Sequence, residues 1–193
     1  MSVRDRNRER VRQEIGVAAR RLFARQGYGA TTIEQVADEA GVSVRTVFRH
    51  FPRKEDLPFH RHASIRQRFA ELLDADDGAR PSLDVLADAL WRAIDVDGSE
   101  EDGGVTFLGM LEREPELRRH EQALFGEHHD VVAGFLRGRL AGGPEGHAHA
   151  ELLAGAFMGT VTASRGLVLL FPGEPPRAQL ERAVDLLRPL PWP

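Results

Sequence analysis

The residues of this chain best suited to chemistry are arginines and hydroxyl side chains gathered in one short stretch. What they offer is hydrogen bonding rather than bond breaking. Arg45 and Arg49 stand four residues apart with Thr46 and His50 beside them, and Thr31, Thr32, Ser43 and Lys54 lie close by. A guanidinium is a planar fork of donors that matches the two acceptors on the major-groove edge of guanine. Hydroxyls and free amides at helix starts suit phosphate oxygens. The charge distribution agrees, because residues 1–54 carry twelve basic and six acidic residues, a balance of +6 within a chain whose net charge is −4. The remainder stands at −10. Only the N-terminal head is electrostatically suited to a polyanion. A helical module docking on acidic proteins would explain the charge, but not the placement of Arg45 or the turn chemistry around it.

Catalytic and metal sites find little support. The chain has no cysteine, which removes thiolate ligands, disulfides and cysteine nucleophiles together. His120, His128, His129, His147 and His149 are the best remaining set. Adjacent histidines on a helix project about 100° apart, and no HExxH arrangement is present. Neither an enzyme nor a metal or cofactor site is expected. The charged start MSVRDRNRERVRQE lacks the apolar core of a signal peptide, and no run of about 18 apolar residues occurs. A cytoplasmic chain with no membrane attachment is expected, and its 41% apolar content suffices for an ordinary core.

The side chains singled out above need elements to aim them. Val11, Ile15, Ala18, Ala19, Leu22 and Phe23 recur at helical spacing, and Gly27 ends that helix as a C-terminal cap. Thr31-Thr32-Ile33-Glu34 reads as a capping box with Thr31 as N-cap and Glu34 as its reciprocal partner. The helix it starts buries Ile33, Val36, Ala37 and Ala40. After Gly41-Val42, Ser43 caps a third short helix that runs to Phe51 and stops at Pro52. Two short helices about a Gly-containing turn form the helix-turn-helix arrangement, whose second helix enters the major groove. On that helix Val44, Val47, Phe48 and Phe51 are expected to pack, and Arg45, Thr46, Arg49 and His50 to face outward, with Arg45 the base reader. Beyond Lys54 one helix is expected to about Leu73, then a linker over Asp74–Pro81 and a helix capped by Ser82. An acidic loop over Asp95–Gly104 and helices near Val105–Arg113, Glu116–Leu140, His147–Leu170 and Arg177–Leu187 complete the chain. No segment alternates polar and apolar residues, so no sheet is expected.

The runs Gly27-Tyr28, Thr31-Thr32, Ile33-Glu34-Gln35-Val36-Ala37, Ala40-Gly41-Val42-Ser43, Thr46-Val47-Phe48-Arg49-His50-Phe51 and Lys54-Glu55 agree in order and spacing with one known pattern. Over roughly residues 10–60 the chain resembles the TetR (tetracycline-repressor-like) family. The resemblance implies an all-α homodimer acting as a sequence-specific DNA-binding transcriptional regulator, a repressor released by a small-molecule effector. It places Thr46, Phe48, His50 and Lys54 where relatives touch the DNA backbone, and Val44, Arg45 and Arg49 toward the bases. Val44 stands where many relatives carry a polar residue, and Phe48 replaces a more frequent Tyr, losing a phenolic donor. Either side chain suits a thymine methyl, and either suits simple packing.

The division expected is a three-helix helix-turn-helix domain over residues 1–53 and a helical bundle for ligand sensing and dimerisation over residues 54–193. Within the latter, Gly155, Gly159, Ala163 and Gly166 form a small-residue stripe that lets another helix approach closely. With Leu180, Ala183, Val184 and Leu187 they are the expected dimer interface, since the family's last two helices pack against those of a partner. Bulky Trp91, Phe107, Met110, Leu111, Phe125 and Phe135, with Arg165 for an anionic group, are the expected pocket. The stretch Leu117–Leu140 resembles actinobacterial regulators of the mycofactocin type, which implies an acyl-CoA-like effector. Another hydrophobic ligand stays open, as does a purely structural role for most of these residues.

Overall fold

A computed structural model describes residues 2–94, 103–170 and 174–193, with side chains throughout except at 103–106, 108, 165, 167–170 and 176. Arg165 and the greater part of the acidic loop therefore fall outside the described residues. Among the described residues all regular structure is helical. The helices are α1 (Val3–Gln26), α2 (Ile33–Glu39), α3 (Val44–His50), α4 (His62–Asp74), α5 (Ser82–Ile94), α6 (Gly103–Arg113), α7 (Pro115–Arg139), α8 (Pro144–Leu170) and α9 (Pro176–Asp185), with a 3-10 turn over Lys54–Phe59. The single helix expected from Lys54 to Leu73 is thus divided. Pro58 sits in the 3-10 turn, where its missing N–H and fixed ring deny an α-helix a continuous ladder.

Two compact units emerge. The first joins the residues up to Ala63 with Gly109–Glu121, and the second joins Ser64–Leu108 with Gln122–Pro193. In the first, Ile15, Ala18, Ala19, Leu22 and Phe23 of α1, Val36 and Ala37 of α2, and Val47 and Phe51 around α3 are buried. The unit runs past residue 53, where the sequence suggested a boundary, because the 3-10 turn packs on α1 and buries Leu57 completely. His60 closes this contact. It is 2% exposed and lies so near Gly16 that a Cβ on the glycine would meet its ring at 2.2 Å. Burial, helped by the positive charges of Arg20, Arg61 and Arg12, pushes the His60 imidazole down to about 3 despite an opposing bond to the Leu57 carbonyl. It is a neutral packing residue at neutral pH.

The second unit's core draws Phe69 and Leu73 from α4, Leu83, Leu86 and Leu90 from α5, Val132 and Leu136 from α7, Leu153, Phe157 and Val161 from α8, Leu180 and Val184 from α9, and Leu187 just beyond it. Ser82 is no N-cap here. It is the first residue of α5, and both its amide, at 3.1 Å, and its hydroxyl, at 2.6 Å, donate to the Pro193 carbonyl. Arg139 at the end of α7 donates to the Arg80 carbonyl at 2.7 Å, pairs with Asp76 and lies over the Phe135 ring. Charge-assisted bonds of this kind fix the short α4–α5 connection more firmly than neutral ones.

Candidate nucleic-acid interface

Gly27, at φ 84°, ends α1 and turns the chain toward α2. The capping box that starts α2 sits one residue later than expected. Thr32 accepts from the Gln35 amide at 3.3 Å, and the Gln35 side chain accepts from the Thr32 amide at 3.0 Å. Thr31 is buried. Its hydroxyl donates to the Gly27 carbonyl at 2.8 Å and accepts from Gln26, so it closes the end of α1 and is removed from the phosphate-facing set. Thr32 and Ser43 remain exposed. Gly41, at φ 65°, makes the turn, and Ser43 caps α3 by accepting from the Thr46 amide at 3.1 Å.

The outward face of α3 differs from the expected one at two positions. Val47 and Phe51 are fully buried, and His50 is buried with them, whereas Phe48 is 47% exposed. His50 therefore turns away from the DNA-facing side, while Phe48 stands outward, where the resemblance had placed it and the packing pattern had not. Burial depresses the His50 imidazole, and the charges of Arg49, Arg8 and Arg12 add to that. Arg45 and Arg49 project into solvent, with Val44 and Thr46 half-buried beside them. Neither arginine makes an ion pair or hydrogen bond among the described residues.

What holds α3 at this angle is Arg12 of α1, which sequence reasoning missed. Its guanidinium donates to the His50 carbonyl at 2.6 Å and to the His60 carbonyl at 3.3 Å, and lies 4.3 Å from the Phe51 ring centroid. One half-buried cation thus caps the end of α3 and ties it to the 3-10 turn. Its place at the end of a row with Arg4 and Arg8, at successive intervals of four residues, was the available signal. Lys54, expected to meet a phosphate, has a structural task as well. Its ammonium donates to the Tyr28 carbonyl at 2.7 Å and sits 4.2 Å over the Tyr28 ring. Burial lowers the Lys54 ammonium, and Glu116, Glu114 and Glu55 oppose that.

The other candidate sets are dispersed or turned inward. Trp91, Phe125 and Phe135 are half-buried against the core of the second unit, and Phe107 belongs to that unit. Met110 and the buried Leu111 belong to the first. On α8, Gly155, Gly159, Ala163 and Gly166 are exposed as expected, and Leu152 beside them is 73% exposed. On α9 the reverse holds. Leu180, Ala183 and Val184, with Leu187 just past the helix, are buried in their own chain, so they leave the interface set, and the exposed large apolar residues beyond α9 are Leu186 and Leu190. His120 meets Asp56 at 3.1 Å and Phe59, His129 meets Glu151, and His147 bonds the Gly143 carbonyl. Among the described residues no three His, Asp or Glu side chains gather as a metal-binding group, and no helix is long and apolar enough to cross a membrane.

Three helices with a Gly turn, a capped third helix and an exposed arginine face define a helix-turn-helix DNA-binding domain. Residues 15–59 match the family of bacterial regulatory proteins designated the tetR family. It is 31% identical over 121 residues to the HTH-type transcriptional regulator TcmR of Streptomyces glaucescens, an alignment covering 60% of this chain and 54% of that one. It is 26% identical over 137 residues to the putative mycofactocin biosynthesis transcriptional regulator MftR of Mycobacterium tuberculosis, covering 71% and 69%. The chain thus aligns with little more than half the length of the first of these. Among solved structures it resembles Thermus thermophilus FadR, a TetR-family transcriptional repressor in complex with lauroyl-CoA. The TM-score is 0.54 at 25% identity, over 92% of this chain and 93% of that one.

Proposed function

We propose that this protein is a sequence-specific DNA-binding transcriptional regulator of the cytoplasm, a homodimeric repressor released by a small hydrophobic or acyl-CoA-like effector. The observation that carries the reading is the exposed, unpaired Arg45 and Arg49 on a third helix clamped by Arg12. Arg45 and Arg49 read base edges, Val44 and Phe48 offer apolar contact to thymine methyls, and Thr32, Ser43, Thr46 and the remaining donors of Lys54 hold phosphates. The lauroyl-CoA carried by FadR supports the effector class, with Trp91, Phe107, Phe125, Phe135 and Arg165 as its candidate contacts. The test is selection of bound sites from a random duplex pool, followed by titration with lauroyl-CoA. A palindromic site is expected, with half-sites one helical turn apart or a multiple of it. Effector should weaken operator binding while raising the melting temperature, as linkage requires for a ligand that prefers the released state. Failure to enrich any duplex sequence would overturn the reading.

Dimerisation is assigned to the exposed face of α8. Leu152, Gly155, Gly159, Ala163 and Gly166 follow one another at intervals of three or four residues, and the glycines permit close helix approach. Nothing lies within 4 Å of a Cβ built on Gly159, so Gly159→Leu is tolerated in the monomer and overpacks only a helix of the partner. Sedimentation should show a dimer for the wild type and a shift toward monomer for the variant, with an unchanged far-ultraviolet spectrum. A wild-type monomer at micromolar concentration would remove this assignment.

A further inference from the structure

The first turns of α1 precede the residues that match the family, and they carry an arginine every four residues: Arg4, Arg8 and Arg12. They form a regular helix. Ser2 accepts from the Asp5 amide at 3.2 Å, and Asp5 accepts from the Ser2 amide at 3.0 Å, so α1 is capped from Val3 onward. Residues four apart on a helix lie on one side, one turn above another. Arg12 is docked against the end of α3 through the His50 carbonyl, which places Arg8 one turn further along the same side. The Arg8 charge accordingly bears on His50 and on Arg12. Arg49 bears on His50 from α3 itself.

Against this group of cations stand Asp5, which feels Arg8, Glu9, which bears on Arg12 and His50, and Asp56, which bears on Arg12 but is held by the Arg53 amide and His120. Asp5 is already engaged by Ser2, and Glu9 accepts from Gln13 at 2.9 Å. Arg4 and Arg8 are exposed and make no ion pair or hydrogen bond among the described residues. Like charges held beside one another repel, and an anion lying along the row relieves that repulsion.

We propose that Arg8, with Arg4 one turn before it, forms a phosphate-binding site beside the C-terminal end of α3, so that duplex DNA is gripped by α1 outside residues 15–59. The occupant is the sugar-phosphate backbone flanking the bases read from α3. Its charge complements the row, and Arg49 marks the continuity of the row with the reading face. The site rests on the duplex-binding reading above. It supplies affinity without sequence information, since phosphates are alike in every sequence.

The experiment measures binding of the full chain to random-sequence duplex DNA over a series of salt concentrations. Each neutralised phosphate contributes about 0.9 to the slope of log K against log salt. Arg8→Gln and Arg4→Gln should each reduce the magnitude of that slope by about 1 per protomer, and Arg8→Lys should retain it. The melting temperature of Arg8→Gln should equal or exceed that of the wild type, because a repelling charge near Arg12 and His50 has been removed. Wild-type slopes in both glutamine variants would overturn the site and leave the duplex-binding reading intact. A lower melting temperature in Arg8→Gln, with a slope that lysine fails to rescue, would make Arg8 a structural residue and overturn the site as well. A wild-type protein that binds no duplex would remove the reading and the site together.

Discussion

Gly16→Ala should destabilise the first unit by about 1–3 kcal/mol or more, through a single added methyl group. The Cβ would stand 2.2 Å from His60 Cγ, 2.3 Å from Cδ2 and 2.6 Å from Cβ. These atoms form the root of the side chain, so turning the imidazole cannot clear the clash. Either the 3-10 turn moves away from α1 or the two elements separate. Movement of the turn also displaces the His60 carbonyl, an acceptor for Arg12, and Arg12 holds the end of α3 through His50. The cost therefore reaches the recognition helix, and duplex affinity should fall with stability. Against a whole-domain stability of about 5–15 kcal/mol, such a change is readily measured in urea. His60→Ala leaves a cavity and is destabilising alone, but it removes the clash. The double variant should thus be more stable than the sum of the two single changes implies, by roughly 0.5–3 kcal/mol of coupling. A Gly16→Ala protein that melts as the wild type would show that the α1 contact with His60 yields freely.

The helical pattern, the turn and the arginine face were legible because each rests on local rules: apolar spacing, Gly at positive φ, Ser or Thr at a helix start. The errors arose where local rules permit two answers. Thr31-x-x-Glu34 and Thr32-x-x-Gln35 satisfy the same capping-box pattern. The choice falls to Thr32 because the Thr31 hydroxyl serves the Gly27 carbonyl, a contact made across the turn. On α3 the packing face is centred on Val47 rather than on Phe48. Residue 48 lies about 100° round the helix from residue 47, and a centre at Val47 brings His50 inward and leaves Phe48 out. Sequence favours the aromatic as core. The tertiary fit favours His50, whose carbonyl is held by Arg12.

The C-terminal helices carry the same lesson at larger scale. Apolar spacing on α9 was read as a surface for a partner, yet Leu180, Val184 and Leu187 belong to the chain's own core. A buried face and a self-association face have the same composition, and only the packing of neighbouring helices distinguishes them. The glycine stripe of α8 was separable because small residues leave room for a close neighbour, and no described side chain fills the space beside Gly155 and Gly159.

Arg45→Ala should have the largest effect on sequence discrimination. Arg45 sits in the first turn of α3, just after the Ser43 cap, and its side chain is exposed and uncommitted. A bidentate arginine–guanine contact discriminates by about 1–3 kcal/mol. In a dimer reading two half-sites the loss doubles to about 2–6 kcal/mol, which is roughly thirtyfold to twenty-thousandfold in operator affinity. Folding should be untouched, because the side chain holds nothing in the domain. Lys54→Ala is a poor comparison, since its ammonium also braces Tyr28 and its removal mixes stability with binding. Arg8→Gln is the better one, being an exposed cation assigned to phosphate alone. On the selected operator Arg45→Ala should lose far more affinity than on random duplex, with relaxed preference at one base pair of each half-site. Arg8→Gln should lose equally on both. Equal losses for Arg45→Ala on the two duplexes would make Arg45 another backbone contact and move base reading to Arg49.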